Sequence, residues 1–153
     1  MPQPTRRHPN HVNRDPGQAR RGLLPGLLAV TALWGPPVCW MAVIFWLSSQ
    51  PDPGALSPVR FAAEDPVAHL MLYLILGSLL WRATRSASQR RLEVCPACWA
   101  LGIGCAYGLF DELHQALVPT RTPQLQDVVV DWVGTAVGIV VASAVLSRIS
   151  ARR

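Results

Sequence analysis

Apolar positions along the chain gather into four long stretches, separated by short segments rich in proline, arginine and acid. The first stretch runs from about Leu27 to Leu47 and ends in an unbroken apolar block, Val38 to Leu47. The second covers Val67 to about Trp81, the third about Cys95 to Phe110, and the fourth Val128 to about Leu146. A helix needs about 20 residues to cross the hydrocarbon core of a bilayer. The second and third stretches are short by that measure. They reach span length only by extending through Asp65 at one end and through Asp111–Gln115 at the other, which places polar residues on helices at or just below one membrane surface. The pattern predicts an all-α, polytopic membrane protein: a four-transmembrane-helix bundle over residues 23–147, flanked by basic tails at 1–22 and 148–153.

Residues 1–22 carry Pro, Arg, Asn and His without apolar periodicity and read as a disordered tail. Arg20-Arg21 ahead of an apolar run imitates a secretion signal. The run, however, continues past Trp34 for a second stretch as long, with no small-x-small cleavage site between them, so an uncleaved span is expected. Pro36-Pro37 removes backbone donors inside that span and predicts a kink or a helix restart. Residues 48–64 and 118–126 read as loops on one side, and residues 82–94 as a basic loop on the other.

Composition supports lipid as the solvent: 50% of residues are hydrophobic and 15% charged, against about 25% charged in ordinary soluble domains. All fourteen basic residues are arginine, and with nine acids they leave a net charge of +5. Five arginines lie in the amino-terminal tail, four between the second and third stretches and three at the carboxyl terminus, whereas the first and third connections hold only Arg60 and Arg121. The positive-inside rule therefore places both termini in the cytoplasm, as an even number of spans requires. The basic residues are spread over three short segments. That distribution removes nucleic acid as a partner, despite a pI near 9.7.

The acids collect at the opposite, external end: Asp52, Glu64, Asp65, Asp111, Glu112 and Asp127, with Asp131 one turn deeper and His69 and His114 beside them. Helical spacing sets Asp65, His69 and Tyr73 on one face, Tyr107, Asp111 and His114 or Gln115 on another, and Asp127, Asp131, Gly134 and Gly138 on a third. Gly104-x-x-x-Gly108 and Gly134-x-x-x-Gly138 are small faces that let helices approach closely in lipid. Packing of the third and fourth spans by these faces would bring Asp111, His114, Asp127 and Asp131 together. Ionisable groups within spans cost about 2.5–3.5 kcal/mol each on insertion scales, so His69 and Asp131 should point inward and be paired. Two readings fit such a cluster, a polar network that only packs helices and an outward-facing pocket.

At these residues the chain resembles the VanZ-like family of small bacterial membrane proteins. The likeness covers roughly Trp40 to Gly138 and rests on four signatures in order: Phe45-Trp46-Leu47-Ser48-Ser49-Gln50-Pro51; Asp65-Pro66-Val67-Ala68-His69 followed by Tyr73 and Gly77; Tyr107-Gly108-Leu109-Phe110-Asp111-Glu112-Leu113-His114-Gln115 leading to Val118-Pro119-Thr120-Arg121; and Asp127 with Asp131, Gly134 and Gly138. The family pattern has lysine where this chain has Pro66, and often asparagine where it has Asp131, which makes this external end more acidic. The resemblance implies a place in the bacterial cell membrane and, for some members, an association with resistance to lipid-bearing glycopeptide antibiotics such as teicoplanin.

The expected pocket consists of Ser49, Gln50, Asp65, His69, Tyr73, Asp111, Glu112, His114, Gln115, Arg121, Asp127 and Asp131. As a binding site it would take an envelope-lipid head group, a cell-wall precursor or a lipid-bearing antibiotic. As an enzyme it would act on a phosphorylated envelope lipid. Arg121 would then clamp the anion, His69 or His114 would serve as acid–base group, and Asp111 or another nearby acid would orient the histidine or hold a divalent cation. No nucleophile, phosphate-loop or zinc-protease motif is present, and no cofactor or resident metal is expected. Cys95-Pro96-Ala97-Cys98 has redox or zinc spacing but lacks a second ligand pair, so small packing residues are the expectation for these cysteines.

Overall fold

Three of the four helices open on proline. Proline suits a first turn, where its missing N–H would be unpaired anyway. The computed structural model describes residues 16–50, 66–91, 95–119, 121 and 123–152. It contains α1 (Pro16–Ser48), α2 (Pro66–Arg91), α3 (Pro96–Gln115) and α4 (Leu125–Ala151). The expected loop acids Asp52, Glu64 and Asp65, together with Arg60 and residues 1–15, lie outside the described residues.

The helices are longer than the apolar stretches. α1 begins at Pro16 rather than near Leu27, so residues 16–22, expected as tail, are helical. α2 continues through Arg91, which makes most of the expected 82–94 loop helical. α4 begins before Val128 and runs past Leu146 into the expected carboxyl tail. The cause is common to all three. Ala, Arg, Gln and Ser continue a helix without a break, and apolarity reports where lipid begins rather than where helical hydrogen bonding ends. α1 also passes through Pro36-Pro37 as one helix, so no restart occurs there.

α1 over Leu28–Ser48, α2 over Pro66–Ala87 and α4 over Leu125–Ala151 are each long and apolar enough to cross a membrane. α3 carries Asp111 and Glu112 near its end and is not one of these three. Large apolar side chains, among them Val38, Trp46, Met71, Leu113, Val133 and Val140, point away from the bundle. The interior instead holds a small apolar core, Ile44, Tyr73, Leu76, Leu80, Ala100, Tyr107 and Ile139, capped at one end by buried polar groups. An apolar exterior around a partly polar interior suits a lipid solvent.

Contacts between helices show that they alternate in direction. Trp40 Nε1 of α1 donates to Leu72 O of α2 at 2.9 Å, and Arg82 reaches back to Ala32 O at 3.2 Å, so α1 and α2 are antiparallel. Thr84 Oγ1 of α2 donates to Pro96 O at the start of α3, 3.0 Å away. α2 and α4 run parallel: His69 meets Asp131, Leu70 and Tyr73 meet Gly134, and Leu74 meets Gly138.

Along the α2–α4 seam the two backbones lie in direct contact. Gly134 and Gly138 lie against the backbone carbonyls of Leu70 and Leu74, and Gly77 of α2 lies against the Thr135 backbone. Ser78 Oγ spans the seam between Leu74 O at 2.9 Å and Gly138 O at 3.0 Å. The expected pairing of the two GxxxG faces across α3 and α4 is therefore not what occurs. Gly134 and Gly138 serve α2, while Gly104 and Gly108 of α3 receive the side chains of Thr135 and Asp131 from a neighbouring stripe of α4.

A methyl group at Gly138 would collide with backbone, which cannot swing aside. Gly138→Ala is expected to destabilise the bundle by about 1–3 kcal/mol, read from denaturant unfolding in detergent micelles. Gly102→Ala meets nothing within 4 Å and should leave stability unchanged or raise it slightly, because alanine is the better helix former.

Candidate functional site

The alternation of directions brings the end of α1, the start of α2, the end of α3 and the start of α4 to one end of the bundle. Ser48, His69, Asp111, Glu112, Gln115, Asp127 and Asp131 are all buried there. Burying so many polar groups is costly unless each finds a partner, and the partners fall into three linked sets.

The first joins α2 to α4. His69 Nδ1 lies 2.9 Å from Asp131 Oδ1. A carboxylate only accepts, so Nδ1 is the donor to an ionised Asp131. Asp131 sits where Gly108 of α3 leaves room, and the Tyr73 ring lies against the same glycine. Asp111 and Asp127 are within electrostatic reach of this pair.

The second set joins α1 to α3 and the segment after it. Asp111 Oδ2 accepts from Ser48 Oγ at 2.9 Å and from Gln115 Nε2 at 3.0 Å. Gln115 Oε1 accepts in turn from Arg121 Nη1 at 3.0 Å. The same guanidinium donates through Nε to Gln50 O at 3.3 Å and through Nη2 to Leu47 O at 3.2 Å. A helix leaves its last four carbonyls without intrahelical partners, and partial negative charge accumulates there. Arg121 thus closes the end of α1. Burial draws its guanidinium below the usual value against the opposing pull of Asp111, Glu112 and Asp127, yet a guanidinium stays charged in a protein. Its expected role as an open anion clamp is corrected to this extent: three of its donors are spent on the protein itself.

The third set ties Glu112 Oε1 to the backbone N–H of Gln124, just ahead of α4. His114 stands apart from Asp131, against α1. Its Nε2 is 3.0 Å from Ser49 Oγ, its ring stacks on Phe45 at 4.4 Å between centroids, and Ser49 Oγ donates to Phe45 O at 2.6 Å. The Gln50 side chain returns to Trp46 O at 3.0 Å. Asp127 is buried at the head of α4, and Asp65 lies outside the described residues. Among the described residues, no three His, Cys, Asp or Glu side chains take up a metal-holding arrangement.

Ser48 and the carbonyls of Leu47 and Gln50 were not among the expected site groups. Ser48 had a sequence signal: it continues the stripe of Met41 and Ile44, which faces the bundle, whereas Ser49 sits one residue round. The two carbonyls had none, because a backbone acceptor looks the same at every position.

Several buried atoms at this end have no close hydrogen-bond partner: Asp111 Oδ1, Glu112 Oε2 and Asp131 Oδ2, together with the Tyr73 hydroxyl, which faces Asp131. Tyr73 is wholly inaccessible and Asp111 and Asp131 are each 1% exposed. Buried polar atoms are ordinarily hydrogen-bonded, so each of these calls for a water, an ion or a ligand.

A model of the family described as VanZ/LLP1 matches residues 33–147, which takes in α2 and α3 whole, the second half of α1 and most of α4. No curated protein and no solved structure matches the chain.

Removing the fork at residue 121 should be felt at the end of α1. Arg121→Gln is expected to cost about 1.5–3 kcal/mol, the range for hydrogen bonds from a charged group, measured by unfolding in detergent. Arg121→Lys should recover only part of this, since an ammonium cannot reach three acceptors in a planar fork.

Proposed function

The chain belongs to the VanZ/LLP1 family, and from that premise we propose that it is a multi-pass protein of the bacterial cell membrane whose polar end forms an outward-facing binding pocket. All four helices span the bilayer in this reading and both termini are cytoplasmic, with α3 admitted as the fourth span because it runs alongside α4. The pocket holds an envelope-lipid head group, a cell-wall precursor or a lipid-bearing glycopeptide, and its occupancy contributes to antibiotic tolerance.

The observation that carries this reading is the group of under-satisfied polar atoms on Tyr73, Asp111, Glu112 and Asp131, of which only the Tyr73 hydroxyl and the Asp131 carboxylate face each other. A network that only packed helices would leave no need for a further partner. Three of these atoms are carboxylate oxygens, which accept hydrogen bonds, and Arg121 is already engaged. The site is therefore suited to a group rich in donors, an amine or a run of hydroxyls, more than to a bare phosphate.

A second reading, an enzyme acting on a phosphorylated envelope lipid, draws on one geometric feature. Asp131 engages His69 Nδ1, and in the neutral ring this pairing would leave Nε2 to act as general base. In that case His69→Asn would abolish phosphate release from a phosphorylated lipid substrate while leaving the protein folded.

Topology is open to a direct check. Reporter fusions after Gln50 and Thr122 should read external and a fusion after Arg90 cytoplasmic; the reverse pattern would place the acidic end inside the cell. Binding is tested with purified full-length protein, titrated with teicoplanin and with phosphatidylethanolamine against phosphatidylglycerol. Asp131→Asn and Tyr73→Phe should each weaken capture of the amine-bearing probes by about 1–3 kcal/mol. Unchanged affinity in both variants would sink the pocket.

A further inference from the structure

The opposite end of α3 carries a feature that the polar end does not explain. Cys95 is the N-cap residue of α3, with Pro96 at the first helical position. Cys98 follows one turn later, held by its N–H to Cys95 O at 3.0 Å. Neither thiol packs into the bundle: both cysteines are exposed, and both are free. The expectation that they are small packing residues is not met. Helix rise and radius place positions three apart about 5 Å from one another between Cα atoms, inside the range a disulfide bridges. The turn is also anchored from outside, because Thr84 of α2 donates to Pro96 O at 3.0 Å.

We propose that Cys95 and Cys98 form a redox-active dithiol–disulfide couple that exchanges with a disulfide-bearing partner at the end of the bundle remote from the acidic cluster. In the exchange, the Cys95 thiolate attacks one sulfur of the partner's disulfide. That S–S bond breaks, a mixed disulfide forms on Cys95, and the other partner sulfur leaves as a thiolate. Cys98 then attacks the Cys95 sulfur, forming the Cys95–Cys98 bond and releasing the second partner thiolate. The chain loses two electrons and two protons, the partner disulfide gains the electrons, and the protons go to its departing thiolates.

Cys95 is suited to the attacking role and Cys98 to the resolving one. The Cys95 sulfur closes no cap hydrogen bond of its own, but it lies at the open first turn of a 20-residue helix, where partial positive charge favours a thiolate. In a reducing compartment such a pair is mostly dithiol, and oxidation is transient, as in catalytic or sensing couples.

The test uses full-length protein in detergent, equilibrated with buffers of reduced and oxidised glutathione, then alkylated and mapped by peptide mass. A Cys95–Cys98 disulfide should accumulate while Cys39 and Cys105 remain alkylatable. Cys98→Ser should trap glutathione on Cys95, and Cys95→Ser should react at Cys98 more slowly than Cys98→Ser reacts at Cys95. The proposal is overturned if both thiols stay reduced in excess glutathione disulfide. It is equally overturned if adducts spread evenly over all four cysteines, or if glutathione persists on Cys95 with Cys98 intact.

Discussion

The structure depends on how closely two backbones can approach. Between helices in lipid there is little hydrophobic gain from association, because lipid tails are as apolar as leucine. Close packing and interhelical hydrogen bonds must supply the attraction. Gly134 and Gly138 admit the carbonyls of Leu70 and Leu74, Gly77 admits Thr135, and Ser78 bonds across the seam. This contact sets α2 beside α4 in parallel, and the register it imposes brings His69 to Asp131. Were the seam wider, the imidazole and the carboxylate would be two unpaired polar groups in an apolar bundle, each at a cost that membrane insertion tolerates poorly.

The seam also governs what α3 can do. With Gly134 and Gly138 occupied by α2, the stripe of α4 that remains for α3 is the one carrying Asp131 and Thr135. Gly104 and Gly108 leave room for those two side chains. The Asp131 carboxylate thus sits at the junction of three helices, with Tyr73 on the same glycine. On the other flank, Ser48, Asp111, Gln115 and Arg121 form a chain of hydrogen bonds that ends on the carbonyls of α1. The polar end is therefore three structures side by side: a His–Asp pair belonging to α2 and α4, an arginine closure belonging to α1 and the segment after α3, and the tie from Glu112 to the head of α4.

Much of this was legible in the chain. The helical class, the four stretches and the collection of acids at one end follow from apolar runs and charge placement, and the family signatures lie at that end. The inward facing of His69 and Asp131 followed from the cost of placing them in lipid. Other features were out of reach. The extension of α2 through Arg91 is invisible to apolarity, because arginine and serine end a lipid-facing surface without ending a helix. The engagement of Arg121 with Leu47 O and Gln50 O was hidden because carbonyls have no sequence identity. His114 shares a helix face with Asp111 by spacing, yet it turns to Ser49 and Phe45, since a position at the edge of a face can lean to either neighbour.

The sequence by itself determined which residues are helical in character, which end of the bundle is acidic and which side chains are too polar to face lipid. These are consequences of periodicity, charge and transfer free energy, all of which act locally along the chain. Only the tertiary structure decided that the glycines of α4 serve α2 rather than α3, that Asp131 takes His69 as its partner, and that the arginine after α3 is spent on the end of α1. Each of those outcomes is a competition among partners of similar chemistry. Such a competition is settled by the distance at which two backbones can lie, and that distance depends on every helix at once.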